Sequence, residues 1–186
     1  ITSPSVETVD GNATSVISFT YNEHGQMETI TSVDGIKTQY LYYAGSDAND
    51  PNCGRLWKIV VDANETEGLN ITAEYKYDKY GNVTKVKDAG GNITEFAYNQ
   101  LNQLTQITLP TGNTTEFSYT VNKMLAEIER VRLGEPNQIV QYIYNKMDKP
   151  QAVIDPLANI TSYSYDASDN LSAINDAEGH ITSYEY

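Results

Sequence analysis

Aromatic residues recur along this chain in pairs two positions apart: Phe19 and Tyr21, Tyr40 and Tyr42, Tyr75 and Tyr77, Phe96 and Tyr98, Phe117 and Tyr119, Tyr142 and Tyr144, Tyr163 and Tyr165, and Tyr184 and Tyr186. A spacing of two puts both rings on one face of a β-strand, and Thr94 and Thr161 extend the alternation upstream. The alternate positions, among them Glu95, Glu116, Gln141, Ser162 and Ser183, are polar, which predicts a sheet with one packed face and one wetter face. The second ring of each pair is a tyrosine, and these key tyrosines are separated by 21, 35, 21, 21, 25, 21 and 21 residues. The chain is an internal repeat with a period of about 21, and that period governs the rest of the reading.

Each key tyrosine is followed by a short polar turn, as in Asn22-Glu23-His24-Gly25, Asp78-Lys79-Tyr80-Gly81 and Asp166-Ala167-Ser168-Asp169. Gly, Asn and Asp tolerate the positive φ of tight hairpin connections, and an Asp or Asn at the first position can bond back to the turn backbone. A second strand then carries aliphatic residues six and nine positions beyond the tyrosine: Met27 and Ile30, Val83 and Val86, Leu104 and Ile107, Leu125 and Ile128, Leu171 and Ile174. A spacing of three puts the two on opposite faces unless a bulge intervenes, and the sequence leaves that open. A second turn, as in Asp88-Ala89-Gly90-Gly91-Asn92, closes the unit.

The expected fold is therefore all-β: repetitive antiparallel β-hairpins side by side, forming one long, twisted, curling sheet crossed by ladders of aromatics. One repeat array spans residues 1–186, with about eight units, the last incomplete. Insertions fall near 44–53, 65–69 and 134–137, Lys123 replaces a turn glycine, and Pro150 stands where other units have an aliphatic and predicts a weakened strand or a bend. The array reads as an excerpt of a longer one.

Hydrophobic residues make up 39% of the chain, too few for a thick Leu-rich core, and no run of residues is apolar and long enough to span a membrane as a helix. The net charge of −13, from 25 acidic and 12 basic residues, would repel a phosphate backbone, which argues against nucleic acid as a partner. A single cysteine, Cys53, leaves no internal disulfide and no multi-cysteine metal site.

The dipeptides Tyr77-Asp78 and Tyr165-Asp166, followed by Gly81-Asn82-Val83 or Asn170-Leu171, then by Asp88, Asp155-Pro156 or Asp176, then by Gly91-Asn92-Ile93-Thr94, resemble the YD repeat, also called the RHS repeat. The register holds across the chain, although Asn22, Tyr43, Asn99, Thr120 and Asn145 replace the signature Asp. The resemblance implies a strip of hairpins that spirals into a hollow shell, as in insecticidal toxin complexes, bacterial Rhs and wall-associated polymorphic toxins, and teneurins. It further implies a secreted or cell-surface protein whose shell encloses or presents a toxin or other effector segment. The partners it implies are the remaining repeats of the same polypeptide and an encapsulated C-terminal toxin, and the strand edges of such a strip invite edge-to-edge self-association.

Candidate chemistry is sparse. Eight Asn-x-Ser/Thr sequons, at Asn12, Asn64, Asn70, Asn82, Asn92, Asn113, Asn159 and Asn170, could accept N-glycans in a secretory route, but most arise because turn Asn precedes strand Thr once per repeat. Asp78, Asp88, Asp155, Asp166 and Asp176 could in principle line up and bind calcium, but a solvated turn face explains them better. His24 and His180 sit in separate turns without the spacing of a metal motif, and Cys53 sits in a loop, so none is a strong catalytic candidate. No catalytic, cofactor-binding or metal residue is expected, and no cofactor. The function expected is a non-enzymatic structural repeat module. The alternative is a carbohydrate- or cell-surface-binding sheet that uses exposed tyrosines.

Overall fold

The computed structural model describes residues 2–9, 13–44, 52–63 and 68–186. Most of the predicted insertions near 44–53 and 65–69, and the sequons at Asn12 and Asn64, lie outside the described residues.

The chain divides into two units, Ile1–Glu95 and Phe96–Tyr186. The first holds β1 (Thr2–Val9), β2 (Ala13–Tyr21), β3 (Met27–Thr31), β4 (Lys37–Tyr42), β5 (Leu56–Val61), β6 (Ile71–Tyr77) and β7 (Val83–Lys87). Strand β8 (Ile93–Tyr98) runs across the division. The second unit continues with β9 (Leu104–Thr108), β10 (Thr114–Tyr119), β11 (Leu125–Val131), β12 (Gln138–Tyr144), β13 (Pro150–Ile154), β14 (Ile160–Tyr165), β15 (Leu171–Asn175) and β16 (Ile181–Ser183). Within each unit the strands lie in the sheet in chain order and pair antiparallel with their sequence neighbours. The fold is all-β, built of repetitive antiparallel hairpins, as the 21-residue period predicts.

The question left open by the three-residue aliphatic spacing has one answer in hairpin after hairpin. In β6–β7, Tyr77 pairs with Val83 and Tyr75 with Val86, and the register shifts between them. The same shift sets Tyr119 opposite Leu125 and Phe117 opposite Ile128, Tyr165 opposite Leu171 and Tyr163 opposite Ile174, and Tyr21 opposite Met27 and Phe19 opposite Ile30. Each of these hairpins thus carries one extra residue on its second strand, a β-bulge that restores the face of the second aliphatic. Both members of the aromatic pairs in β2, β4, β6, β10 and β14 then face an aliphatic partner across the strands, the kind of cross-strand contact that stabilises sheets.

Pro150 produces no break. It is the first residue of β13, opposite Tyr144, and β13 is five residues long, as are β7, β9 and β15. The opening position of a strand is one where a missing N–H is tolerated.

Among the described residues just Val60 and Thr29 are buried, each 8% exposed. The key tyrosines from Tyr21 to Tyr165 and their aromatic partners from Phe19 to Tyr163 are half-buried. A single layer without a covering face can do no more, so the rings shield one another and the pleat beneath them. The wetter face of the first unit holds ion pairs across strands, with Glu74 between Lys58 at 3.5 Å and Lys87 at 3.7 Å, and Lys85 paired with Glu95. In the second unit carboxylate–amide bonds replace them: Gln106 donates to Glu116 at 3.1 Å and Gln141 to Glu127 at 2.9 Å.

Candidate functional site: the tyrosine-clasped rim

The turns alternate between two rims of the strip. Those that follow the key tyrosines form the near rim and those that close each unit form the far rim. Where one hairpin meets the next, the backbone ladder covers the far half of the strands and stops short of the near rim. Strands β9 and β10 pair at Thr108–Thr114, Ile107–Thr115 and Gln106–Glu116, and β13 and β14 pair from Ile154–Ile160 to Ala152–Ser162. The bulge and the diverging strands leave a carbonyl beyond the ladder's end, and a backbone acceptor of this kind needs a partner.

The key tyrosine supplies it. Tyr119 Oη donates to the Leu104 carbonyl at 2.7 Å, Tyr144 Oη to Leu125 at 2.8 Å and Tyr165 Oη to Pro150 at 2.8 Å. In the first unit Tyr42 Oη donates to Met27 at 2.7 Å and Tyr77 Oη to Leu56 at 2.8 Å. In every case the acceptor is the first residue of the preceding hairpin's second strand, and Pro150 can serve because its carbonyl is intact. Burial pushes the Tyr42 and Tyr77 hydroxyls above the ordinary phenol range, which holds them protonated as donors. This hydroxyl role went unread in the sequence, yet it left a signal: the first aromatic column mixes Phe and Tyr, while the second is Tyr throughout.

The turns themselves are locked from within. In 78–82, Asp78 Oδ1 accepts from the backbone N–H of Tyr80 at 2.8 Å and of Asn82 at 3.0 Å, and Asp78 Oδ2 accepts from Asn82 Nδ2 at 2.9 Å. The fourth residue, Gly81, has φ +99 and donates its N–H to the Asp78 carbonyl at 3.2 Å. Asp88, Asp155, Asp166 and Asp176 repeat the arrangement, with His180 in the place of the Asn. Asn22, Asn99 and Asn145 make the same backbone bonds with an amide oxygen, which is why the signature Asp is dispensable. Tyr43, in the Asp position of its unit, sends its hydroxyl to the Tyr75 carbonyl at 2.8 Å and stacks edge-on against Tyr77 at 6.4 Å.

Five carboxylates that the sequence set out as metal candidates are therefore separate turn locks. Bonds from the neighbouring Asn side chain hold Asp78, Asp88 and Asp155 below the ordinary carboxylate range, and bonds from backbone N–H groups do so for Asp166 and Asp176. His180 lies 3.0 Å from Asp176 Oδ2 and is spent on its own turn. His24 pairs with its neighbour Glu23 at 3.6 Å. Among the described residues no group of three His, Cys, Asp or Glu side chains is placed to hold a metal ion.

His24 and the exposed Cys53 do line the same open depression of about 670 Å³ on the near rim, together with Glu23, Glu28, Tyr42 and Tyr43. Its wall is the first near-rim turn clasped to the return of the insertion, where Gln26 Nε2 donates to the Gly54 carbonyl at 2.6 Å. This clasp is another repeated device. Gln103 Nε2 donates to the Lys123 carbonyl at 3.0 Å and Lys149 Nζ to the Asp169 carbonyl, each to the positive-φ residue of the next turn.

Two stretches, residues 77–114 and 144–181, match the RHS repeat family model. In those two stretches the chain carries RHS repeats. Solved structures similar to it include the TcdB2–TccC3 complex and the Tc holotoxin pore of Photorhabdus luminescens, each with a TM-score of 0.55 at 14% identity. The TcdB2–TccC3–Cdc42 complex follows with a TM-score of 0.52 at 13% identity. In each the match covers 92% of this chain and 11% of the other, so this chain corresponds in fold to about a ninth of those chains. No curated protein sequence matches the chain.

Proposed function

We propose that this RHS stretch is a non-enzymatic structural module, a segment of a hollow β-sheet wall in a large secreted or cell-surface protein that encloses or presents a toxin or other effector. The observation that carries the reading is the hydroxyl clasp. Five key tyrosines each fasten a hairpin to its predecessor through one hydroxyl donor, a device that extends a wall and leaves few side chains for chemistry. The fold of toxin-complex chains supports the setting in which such a wall would act. Electron microscopy of the full-length polypeptide tests it: a closed or spiral hollow body with a protease-protected segment inside is expected. A full-length protein with no further RHS repeats, or an effector cleaved as readily as in isolation, would sink it.

Carbohydrate binding has less behind it. The ladder rings from Phe19 to Tyr165 are half-buried, and the hydroxyls of Tyr42, Tyr77, Tyr119, Tyr144 and Tyr165 are committed to backbone carbonyls, which leaves Tyr80, 61% exposed, as the tyrosine outside the ladders best placed to stack on a sugar. Binding on a glycan array that vanished in Tyr80→Ala would favour it.

A further inference from the structure

Around the near-rim depression of the first unit the repeat departs from its own pattern. Glu28 is the extra residue of its β-bulge, between the pairs Tyr21–Met27 and Thr20–Thr29. The same place holds Trp57, Thr84, Ala126, Gln151 and Ser172 in other hairpins, and none of these is acidic. The bulge therefore makes no demand for a carboxylate, and a residue that breaks the local pattern without a structural gain points to a site. Tyr43 stands where Asp78 and Asp166 open their turns, and Cys53 and Gly54 bring the return of the insertion to the same depression.

The lining favours one kind of charge. It includes two carboxylates, Glu23 and Glu28, and no lysine or arginine. Glu23 meets His24 at 3.6 Å, and the Glu28 carboxylate has no hydrogen-bond or ion-pair partner among the described residues. Tyr40, Tyr42 and Tyr43 share the lining with Leu41 and Ala44. The hydroxyls of Tyr42 and Tyr43 are spent on the Met27 and Tyr75 carbonyls, which leaves their ring bodies as walls. Ring faces attract a cation and carboxylates pair with it, while an anion would be repelled by both. A metal ion has no set of ligands here, and about 670 Å³ suits a small organic molecule with an apolar body.

We propose that this depression binds an organic cation, an ammonium on an apolar or aromatic stem, with the charge held by Glu28 and Glu23 and the stem laid against the rings of Tyr40, Tyr42 and Tyr43. The site belongs to one hairpin junction and is independent of the wall reading, which the tyrosine clasp carries.

Three probes of nearly equal shape and different charge test it: benzylamine, benzyl alcohol and benzoate. Cys53, exposed and the single cysteine of the chain, reports occupancy of the depression through its rate of reaction with dithiodipyridine, a neutral thiol reagent. At neutral pH benzylamine is expected to slow that reaction saturably in the millimolar range, as an exposed site for so small a ligand allows. Benzyl alcohol should need about tenfold more, and benzoate, at the same ionic strength, should not protect. Glu28→Gln with Glu23→Gln, two exposed positions, should bring benzylamine to the level of benzyl alcohol and leave benzyl alcohol unchanged. No protection by benzylamine, equal protection by all three probes, or benzylamine protection that survives the double substitution would each overturn the proposal. None of these results bears on the RHS wall, whose test is the full-length particle.

Discussion

Tyr119 Oη lies 2.7 Å from the carbonyl oxygen of Leu104, fifteen residues back in the preceding hairpin, at the point where the ladder between β9 and β10 has already ended. One side-chain donor thus closes a backbone position that the sheet leaves open. The tyrosine column is a set of side-chain hydrogen bonds as well as a stack of rings.

Removing that donor should be measurable. Tyr119→Phe is expected to cost about 1 kcal/mol, because it keeps the ring but leaves the Leu104 carbonyl without its partner. Tyr142→Phe is the control, since this position belongs to the column where Phe96 and Phe117 stand. Urea unfolding that finds equal effects for the two substitutions would refute the clasp.

Cross-strand pairing across the bulge makes a second prediction. Phe117 faces Ile128, and both are half-buried. Phe117→Ala should cost about 2 kcal/mol, below the usual range for a fully buried ring, and a cycle with Ile128→Ala should show a coupling of about 0.5 kcal/mol. Strict additivity would mean that the bulge does not bring the two onto one face.

The fourth turn position separates two substitutions of opposite sign. Gly81 has φ +99, and a Cβ there would lie 2.5 Å from Arg55 Nη1, whose guanidinium sits over the Tyr77 ring at 5.5 Å. Gly81→Ala should destabilise by about 2 kcal/mol, from left-handed strain and a displaced arginine. Ala158 holds φ 65 at the equivalent place, so Ala158→Gly should stabilise by about 0.5 kcal/mol, the relief of strain exceeding the added chain entropy. Thermal unfolding of both proteins checks the signs.

Stability should fall on both sides of neutrality for different reasons. Asp34, Asp78, Asp88, Asp155, Asp166 and Asp176 titrate below the ordinary carboxylate range in the fold. The unfolded chain therefore takes up these protons first, and their contribution, complete above about pH 4, is lost as the pH drops further. Asp88→Asn with Asp155→Asn and Asp166→Asn should flatten that acid limb, because Asn22, Asn99 and Asn145 already make the same backbone bonds without a charge. The raised Tyr42 and Tyr77 hydroxyls act at the other end: their contribution is complete below about pH 10 and lost above it. Midpoints of urea unfolding from pH 2 to 11 would reveal both limbs, and an acid limb unchanged in the triple variant would refute the turn-lock account.

Residue order along the chain determined the period, the hairpins, the polar turns and the all-β fold. Each of these depends on neighbours within one repeat: alternation of two in Phe96 and Tyr98, the turn residues Asp78 to Gly81, the paired aliphatics Val83 and Val86. The turn locks were half-legible for the same reason, since the Asp or Asn that opens each turn stands next to its tyrosine in the sequence, as Asp78 does beside Tyr77. Tertiary structure decided the rest. The bulge that sets Val86 opposite Tyr75 is a property of two strands in register, which one strand's pattern does not contain. The clasp from Tyr119 to Leu104 depends on where two adjacent hairpins part, fifteen residues apart in the chain. Local preference writes the repeat, and the distance between repeats, which no residue encodes alone, decides what its tyrosines hold.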